Sequence, residues 1–223
     1  MKLSVIVPVY NEEQTVNKLL QKLLKVREIG EIIVVNDGSS DNTKKILDSL
    51  RSRKIKIFHQ QNQGKGSAIR LGLSKAAGDY ILIQDADLEY DPQDIKQLLH
   101  YLEREGVEVV YGSRFLGPHS NLLFWHRVGN HFLNALVNLL YDTTLSDMET
   151  CYKLIPSGLM RELALQANGF DFEPEVTCKI LKRNIKIFEV PISYVGRGFD
   201  EGKKITWKDG VTAFWTVVKL RYN

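Results

Sequence analysis

Short apolar segments that alternate with amphipathic segments dominate the first half of the chain, and this alternation constrains the fold more than any other feature. Leu3–Val9 is a β-branched run that ends before Asn11, and Glu31–Val35 is a second such run. Between them, Glu12–Lys25 carries valine and leucine at helical spacing, which predicts an amphipathic helix. Strand, helix and strand in this order form the unit of a parallel sheet.

The alternation continues as far as Arg114. Three more helices are predicted there, over Asn42–Arg51, Gly66–Ala77 and Pro92–Glu105. Three more strands are predicted over Ile55–His59, Asp79–Ile83 and Glu108–Tyr111. Beyond Arg114 we expect helices over Val128–Tyr141 and Glu173–Lys182, an edge strand over Ile185–Val190 and a final helix. The order predicts an α/β fold with a doubly wound, mostly parallel sheet, whose ligands gather at the carboxyl ends of the strands.

Composition excludes several classes of protein. The 223 residues include 30 basic and 27 acidic ones, so the net charge of +3 is too small to favour nucleic acid as a partner. Cys151 and Cys178 form no CxxC pair, which favours reduced thiols in a cytoplasmic protein. The apolar stretches Phe132–Tyr141 and Val211–Leu220 are short of the roughly 20 residues that a membrane-spanning helix needs.

Acidic side chains close the predicted strand Asp79–Ile83. Asp85 and Asp87 flank Ala86, and Glu89 follows after one more residue. Carboxylates that alternate at an exposed strand end suit a hard cation such as Mg²⁺ or Mn²⁺. Asp-rich turns after strands are also common, so the motif by itself is a weak indication of a metal site.

Two other loops carry residues suited to a nucleotide. Asp37 ends a predicted strand beside Gly38 and can accept hydrogen bonds from a base or a ribose, or it can simply cap the next helix. Lys65 lies between Gly64 and Gly66 before a helix, where backbone N–H groups and an ammonium meet phosphate, although a plain surface turn is the alternative. The spacing matches neither the P-loop nor the dinucleotide-binding fingerprint.

Together these motifs resemble glycosyltransferase family 2, which has the GT-A fold, and within it the polyprenyl-phosphate branch typified by dolichol-phosphate mannose synthase. Six stretches match in the expected order: Val5–Glu13, Val34–Thr43, Asn62–Ser67, Gly78–Pro92, Gly112–Arg114 and Asp147–Lys153. The resemblance implies residues 1–204 as a GT-A domain, with a nucleotide-sugar half over 1–114 and an acceptor half over 115–204. Residues 205–223 would then form a C-terminal amphipathic helix.

The resemblance also assigns roles to residues. Asp87 and Glu89 would ligate Mg²⁺ or Mn²⁺, and Arg114 and Arg127 would lie near the transferred sugar and the acceptor phosphate. The residues that would bind the nucleotide and its diphosphate are Pro8, Tyr10, Glu12, Asp37, Lys65, Asp85, Ala86, Arg197 and Lys203.

The activity implied is inverting transfer of a hexose from a GDP-mannose or UDP-glucose type of donor to dolichyl or undecaprenyl phosphate. A hydroxyl acceptor, as in polysaccharide or glycolipid synthesis, is the alternative, and it would need a carboxylate base, for which Asp147 is the candidate. An acceptor phosphate is already ionised and needs cations more than a base. A nucleotidylyltransferase and a non-catalytic nucleotide-binding module fit less well.

The last segment suggests how a lipid acceptor is reached. Trp207, Val211, Phe214, Trp215, Val218 and Tyr222 recur at helical spacing. Lys208, Lys219 and Arg221 flank them and can face phospholipid headgroups. The stripe predicts a helix that lies on the cytoplasmic face of a membrane, contacts a membrane partner subunit, or packs on its own domain.

Overall fold

The computed structural model describes residues 1–120, 123–197 and 206–222. The strands are β1 (Leu3–Val9), β2 (Ile29–Asp37), β3 (Ile55–Gln60), β4 (Tyr80–Ile83), β5 (Val109–Ser113), β6 (His119–Ser120), β7 (Lys153–Pro156), β8 (Ile187–Pro191) and β9 (Tyr194–Val195). The helices are α1 (Val16–Leu24), α2 (Thr43–Ser49), α3 (Lys65–Lys75), α4 (Ile95–Leu102), α5 (Phe124–Tyr141), α6 (Ser157–Glu162), α7 (Phe172–Lys182) and α8 (Trp207–Tyr222).

Seven strands form one sheet in the order β3-β2-β1-β4-β7-β5-β8, and β6 pairs with β9 separately. Neighbours from β3 to β4 are parallel, and β5 is parallel to the edge strand β8. The strands β1 and β2 are buried almost throughout, which explains why their sequences are continuous β-branched runs rather than alternating ones. The predicted doubly wound, mostly parallel sheet is therefore confirmed.

One strand of the sheet was not predicted. The strand β7 lies between β4 and β5 and is antiparallel to both. It begins with Lys153, whose side chain is fully buried against Glu173 at 2.5 Å. A four-residue segment that begins with a charged residue shows no hydrophobic periodicity, so this strand could not be predicted from the sequence pattern.

The predicted helices differ from the structure mainly at their ends, and α6 was not predicted. The predicted helix Pro92–Glu105 is a single 3₁₀ turn, Pro92–Asp94, followed by α4, because Asp91 caps the turn by accepting from the Gln93 N–H. The helix α5 begins at Phe124 instead of Val128. No helix in the described part of the chain is long and apolar enough to cross a membrane.

The helices α5, α7 and α8 pack together beside the sheet and enclose a second, smaller apolar core. Its buried members are Leu133, Val137, Leu145, Met148, Cys178, Ala213 and Val217. The face of α8 that carries Ala213 and Val217 is thus buried on the parent domain. The boundary predicted at residues 204 and 205 lies outside the described residues.

Candidate active site

A cavity of about 420 Å³ opens at the carboxyl ends of the parallel strands. It is lined from one side by residues at or just after the ends of β1, β2 and β4, and from the other by α5, α8 and the residue after β5. Of the predicted site residues within the described ranges, all but Asp147 line it: Pro8, Tyr10, Glu12, Asp37, Lys65, Asp85, Ala86, Asp87, Glu89, Arg114, Arg127 and Arg197. Lys203 lies outside the described residues.

Asp37 organises the loop that precedes α3. Its carboxylate accepts hydrogen bonds from the backbone N–H groups of Gln63 and Gly64, both at 2.9 Å, and from Gln60 Nε2 at 2.7 Å. Gly64 has φ +98°, and a Cβ there would stand 2.3 Å from the Asn168 carbonyl oxygen, so glycine is required. Asp37 is thus buried at the base of the cavity and holds the loop that carries Lys65.

Lys65 points into the centre of the cavity, where acidic groups hold it. Its Nζ lies 2.8 Å from Asp85 Oδ1 and 3.4 Å from Glu173 Oε1. Burial would lower the pKa of this ammonium, but the carboxylates of Asp85 and Glu173 outweigh burial and raise it. Lys65 is therefore a permanent cation beside Asp85, at the middle of the sheet edge.

A cluster of carboxylates surrounds Arg197 in the next part of the cavity. Its Nη2 lies 3.2 Å from Glu12 and 3.3 Å from Asp87, and its backbone N–H donates to Glu89 Oε1 at 2.6 Å. Glu89 Oε2 accepts from the Tyr194 hydroxyl at 2.6 Å. Both oxygens of Glu89 are thus engaged in holding the segment that carries Arg197.

Asp87 is the carboxylate in this cluster that most needs positive charge. Burial, together with the neighbouring carboxylates of Asp85 and Glu89, raises its pKa to about 7, and Arg197 only partly offsets these effects. No three His, Cys, Asp or Glu side chains of the described ranges are arranged as a complete metal site. Mg²⁺, however, is commonly held by one or two carboxylates together with phosphate oxygens of a substrate, and Asp85 and Asp87 fit that donor set.

Arg114 and Asp147 form a buried ion pair at the other end of the cavity. Asp147 Oδ2 accepts from the Arg114 backbone N–H at 2.9 Å and from Nε at 2.8 Å, and Oδ1 lies 2.7 Å from Nη2. Asp147 is fully buried, and its own backbone N–H donates to Glu189. Arg114 therefore reaches the cavity while Asp147 lies behind it, an arrangement that suits orientation of the guanidinium.

Arg127 lies at the mouth of the cavity, on the exposed side of α5. Its Nε is 3.4 Å from His131 Nε2, one helical turn further on. Asp209 and Gly210 of α8 line the same mouth. Exposed Arg127 of α5 and the beginning of α8 therefore line the cavity together.

Three acidic residues that line the cavity were missed by the sequence analysis: Glu149, Glu173 and Asp209. Glu173 bridges Lys65 and Lys153, and Glu149 lines the cavity between the acidic centre and Arg114. Glu149 lies inside the matched stretch Asp147–Lys153, which was a signal that could have found it. Glu173 opens the predicted helix Glu173–Lys182, and nothing in its local pattern separates it from a solvent-exposed residue of a first turn.

Comparison with known proteins gives the family. The glycosyl transferase family 2 model matches residues 4–163. The chain is 27% identical over 238 residues to a UDP-N-acetylglucosamine–dolichyl-phosphate N-acetylglucosaminyltransferase of Methanococcus voltae, covering 97% of this chain and 94% of that protein. It is 28% identical over 210 residues to the undecaprenyl-phosphate 4-deoxy-4-formamido-L-arabinose transferase of Proteus mirabilis, covering 91% of this chain and 62% of that protein.

Solved structures confirm the fold. Glucosyl-3-phosphoglycerate synthase of Mycobacterium tuberculosis, crystallised with Mn²⁺, uridine diphosphate and glucosyl-3-phosphoglycerate, superposes with a TM-score of 0.77 at 18% identity. The superposition covers 99% of this chain and 80% of that one. With the parallel sheet and the cavity at its carboxyl edge, the fold is GT-A, and the chain is a glycosyltransferase that belongs to glycosyl transferase family 2.

Proposed function

We propose that the protein transfers a hexose, with inversion, from a nucleoside-diphosphate sugar to a polyprenyl phosphate such as dolichyl or undecaprenyl phosphate. One observation carries the proposal: a single cavity extends from Asp37, past Asp85 and Asp87, to Arg114 and Arg127. Carboxylates line the part expected to hold a metal and diphosphate, and arginines line the part where an anionic acceptor would enter. The relatives named as dolichyl-phosphate and undecaprenyl-phosphate transferases support the same acceptor class.

In this reaction the protein supplies position and charge. Residues 1–114 supply most of the donor side and residues 115–204 most of the acceptor side, with Arg114 at the boundary and Arg197 reaching back to Glu12 and Asp87. A bound Mg²⁺ or Mn²⁺ would neutralise the departing diphosphate, and Asp87, with Asp85, would hold it. Arg114, fixed by Asp147, and Arg127 attract the acceptor phosphate, whose ionised oxygen attacks the anomeric carbon without a base.

The acceptor class is tested with matched lipids. Purified protein, Mn²⁺ and a labelled donor (UDP-glucose, UDP-N-acetylglucosamine or GDP-mannose) are incubated with undecaprenyl phosphate or with undecaprenol, which differs only in lacking the phosphate. We expect label in the organic phase with the phosphate alone, and an anomeric configuration opposite to that of the donor. Transfer to undecaprenol or to a glycan hydroxyl, with none to the phosphate, would establish the hydroxyl-acceptor alternative.

We also propose that the protein binds the cytoplasmic surface of a membrane through α5 and α8. Side chains that leave more than half of their surface exposed recur on these helices: Phe124, Trp125, Phe132, Trp207 and Trp215. Phe132 stacks on Phe214 with ring centroids 6.1 Å apart, so the two apolar stripes are continuous. Contiguous exposed aromatic surface of this kind is typical of an interaction site.

A lipid surface suits this exposed face because of its flanking charge and its position. Lys208, Lys219 and Arg221 are exposed on α8 and can pair with anionic headgroups. The same two helices line the mouth of the cavity, so a lipid phosphate at the surface would lie beside Arg127. Cys151 and Cys178 are buried free thiols, which agrees with a cytoplasmic location.

Vesicle sedimentation tests this surface. We expect the protein to sediment with vesicles of phosphatidylcholine and phosphatidylglycerol, and Trp125→Ser with Trp215→Ser to abolish sedimentation without lowering the melting temperature. The matched variant with phenylalanine at both positions keeps an aromatic ring and should retain binding. Equal sedimentation of all three proteins would assign the exposed face to a protein partner instead.

A further inference from the structure

Glu149 carries a carboxylate oxygen that the described part of the protein leaves without a hydrogen-bond partner. This oxygen, Oε1, is buried. An unsatisfied buried acceptor costs about 1–3 kcal/mol, more when it is charged, so such a group usually serves a ligand. Glu149 lines the cavity, which gives a ligand access to the side chain.

The topology of the sheet decides which part of the donor lies beside Glu149. The residue precedes β7, and because β7 is antiparallel, its beginning lies at the same edge as the carboxyl ends of β4 and β5. Along that edge Asp37 ends β2, Asp85 and Asp87 follow β4, Glu149 precedes β7, and Arg114 follows β5. A donor laid along this edge places its nucleoside first, its diphosphate second and its sugar third.

We propose that Glu149 binds the transferred sugar by accepting a hydrogen bond from one of its hydroxyl groups. This inference rests on the proposed function, since it takes the donor to be a nucleotide sugar. A sugar presents hydroxyl donors, whereas the diphosphate and the acceptor phosphate present only anionic oxygens that a carboxylate would repel. Glu149 would therefore select for the sugar and leave the affinity for the nucleotide unchanged.

The charges around Glu149 make this contact dependent on pH. Burial, with smaller contributions from Glu173 and Asp147, raises the pKa of its carboxyl to about 7 against the opposing effects of Lys153 and Arg114. The ionised form accepts a hydrogen bond more strongly than the protonated form. Affinity for the sugar should consequently fall as pH decreases through about 7.

Calorimetric titration without acceptor separates a sugar contact from a structural role. Three proteins are compared: the wild type, Glu149→Gln and a control, Glu105→Gln, which changes the same residue type at an exposed position. Each is titrated with UDP-glucose and UDP, and with GDP-mannose and GDP. We expect Glu149→Gln to weaken the sugar nucleotide roughly tenfold and the free diphosphate less than twofold. The factor by which Glu149→Gln binds the sugar nucleotide more weakly than the control should increase from pH 6 to pH 8 (values proposed around the pKa of about 7). Titration of Asp87, whose pKa is also about 7, affects both proteins alike and does not change this factor.

Deoxygenated donors and thermal melts complete the test. The donor that lacks the contacted hydroxyl should bind wild type and Glu149→Gln equally, which identifies the position of that hydroxyl. Without ligand the variant should melt no lower than wild type, because an unpartnered buried charge is removed.

Parallel losses for sugar nucleotide and diphosphate, or a lower melting temperature, would overturn the inference. A wild type that binds neither sugar nucleotide would contradict the proposed function, and a wild type that binds donor but transfers nothing to lipid phosphate would contradict only the acceptor assignment.

Discussion

The carboxylates that line the cavity or lie directly behind it differ in the groups that already hold them, and this decides how each responds to substitution. Asp147 and Glu89 accept hydrogen bonds of 2.6–2.9 Å on both oxygens, whereas the contacts of Asp87 are longer, 3.1 Å from the Glu89 N–H and 3.3 Å from Arg197, and it lies among like charges. The engaged carboxylates position other groups. Asp87 is the one best placed to exchange its partner for a metal.

Asp87→Asn should therefore abolish metal-dependent binding of the donor and leave the fold intact. In the wild type, donor with Mn²⁺ at about one hundred times its dissociation constant should add about 2.7 kcal/mol to the free energy of unfolding. In thermal melts the Asp87→Asn variant should show none of this stabilisation by the donor. The control Asp142→Asn should show all of it, because Asp142 is exposed and asparagine is equally suited to its φ of +52°. Stabilisation that survives the Asp87 change, or that EDTA leaves unaltered, is incompatible with the metal assignment.

Asp147→Asn should act first on stability. The change leaves the buried Arg114 guanidinium without its anionic partner, and breaking such a pair typically costs about 3–5 kcal/mol. We expect a much lower midpoint in urea unfolding, and a smaller loss when Arg114→Gln accompanies the change, because the unpaired charge is then gone. A variant with the wild-type midpoint and no transferase activity would instead restore Asp147 as the candidate general base.

At the level of elements, the close approach of α3 to β1 depends on one glycine. A Cβ on Gly72 would stand 2.5 Å from Cγ2 of Ile6, which is fully buried in β1. The approach brings the beginning of α3, and Lys65 with it, down onto the carboxyl edge of the sheet. A helix interior normally favours alanine over glycine, so packing and propensity make opposite demands at this position.

At Gly72 we expect the steric cost of an added Cβ to exceed the gain in helix propensity. Gly72→Ala should lower the free energy of unfolding by about 1–3 kcal/mol, as overpacked core positions do. Gly129→Ala lies in the interior of α5 with no atom within 4 Å of the added Cβ, and it should raise stability by about 0.5–1 kcal/mol. Urea unfolding of both variants measures the contrast, and a stabilising Gly72→Ala would mean that α3 can shift away from the sheet without cost.

For the whole molecule, Glu31 joins three strands and the loop before β4. It accepts from Ser4 at 2.6 Å, from the Ala77 N–H at 2.7 Å and from Lys56 at 2.6 Å. Burial alone would raise its pKa, but these hydrogen bonds outweigh burial and lower the pKa from 4.5 to about 2. The stabilisation that ionised Glu31 provides is complete above pH 4.5 and is lost as the pH falls through about 2.

Glu31→Gln should remove this acid-sensitive part of the stability. We expect the variant to lose about 1–3 kcal/mol at neutral pH, because one unit of pKa corresponds to 1.36 kcal/mol. Below pH 4.5 the difference from wild type should shrink, since the wild type then loses the same contribution. Urea titrations over this range check it, with Glu28→Gln at an exposed position as the control. A difference that does not vary with pH would show that volume or geometry, and not charge, matters at this position.

The sequence by itself determined the parallel sheet, the edge where the site lies and most of the residues that line it. Runs such as Leu3–Val9 and the helical pattern of Glu12–Lys25 are local signals, because side-chain periodicity follows directly from backbone geometry. Asp37 and Asp85 could be placed at one edge because parallel strands all end there.

Only the tertiary structure decided which of these groups are paired and which are free to act. The strand β7, the Lys153–Glu173 pair and the hydrogen bonds between Arg114 and Asp147 each join segments 20 or more residues apart. Pairing at that separation leaves no periodic trace in the chain, since it depends on burial and on satisfying charges that meet only after folding. For the same reason Asp147 could be proposed as a base from its sequence, while the unpartnered oxygen of Glu149 became visible only once its neighbours were in place.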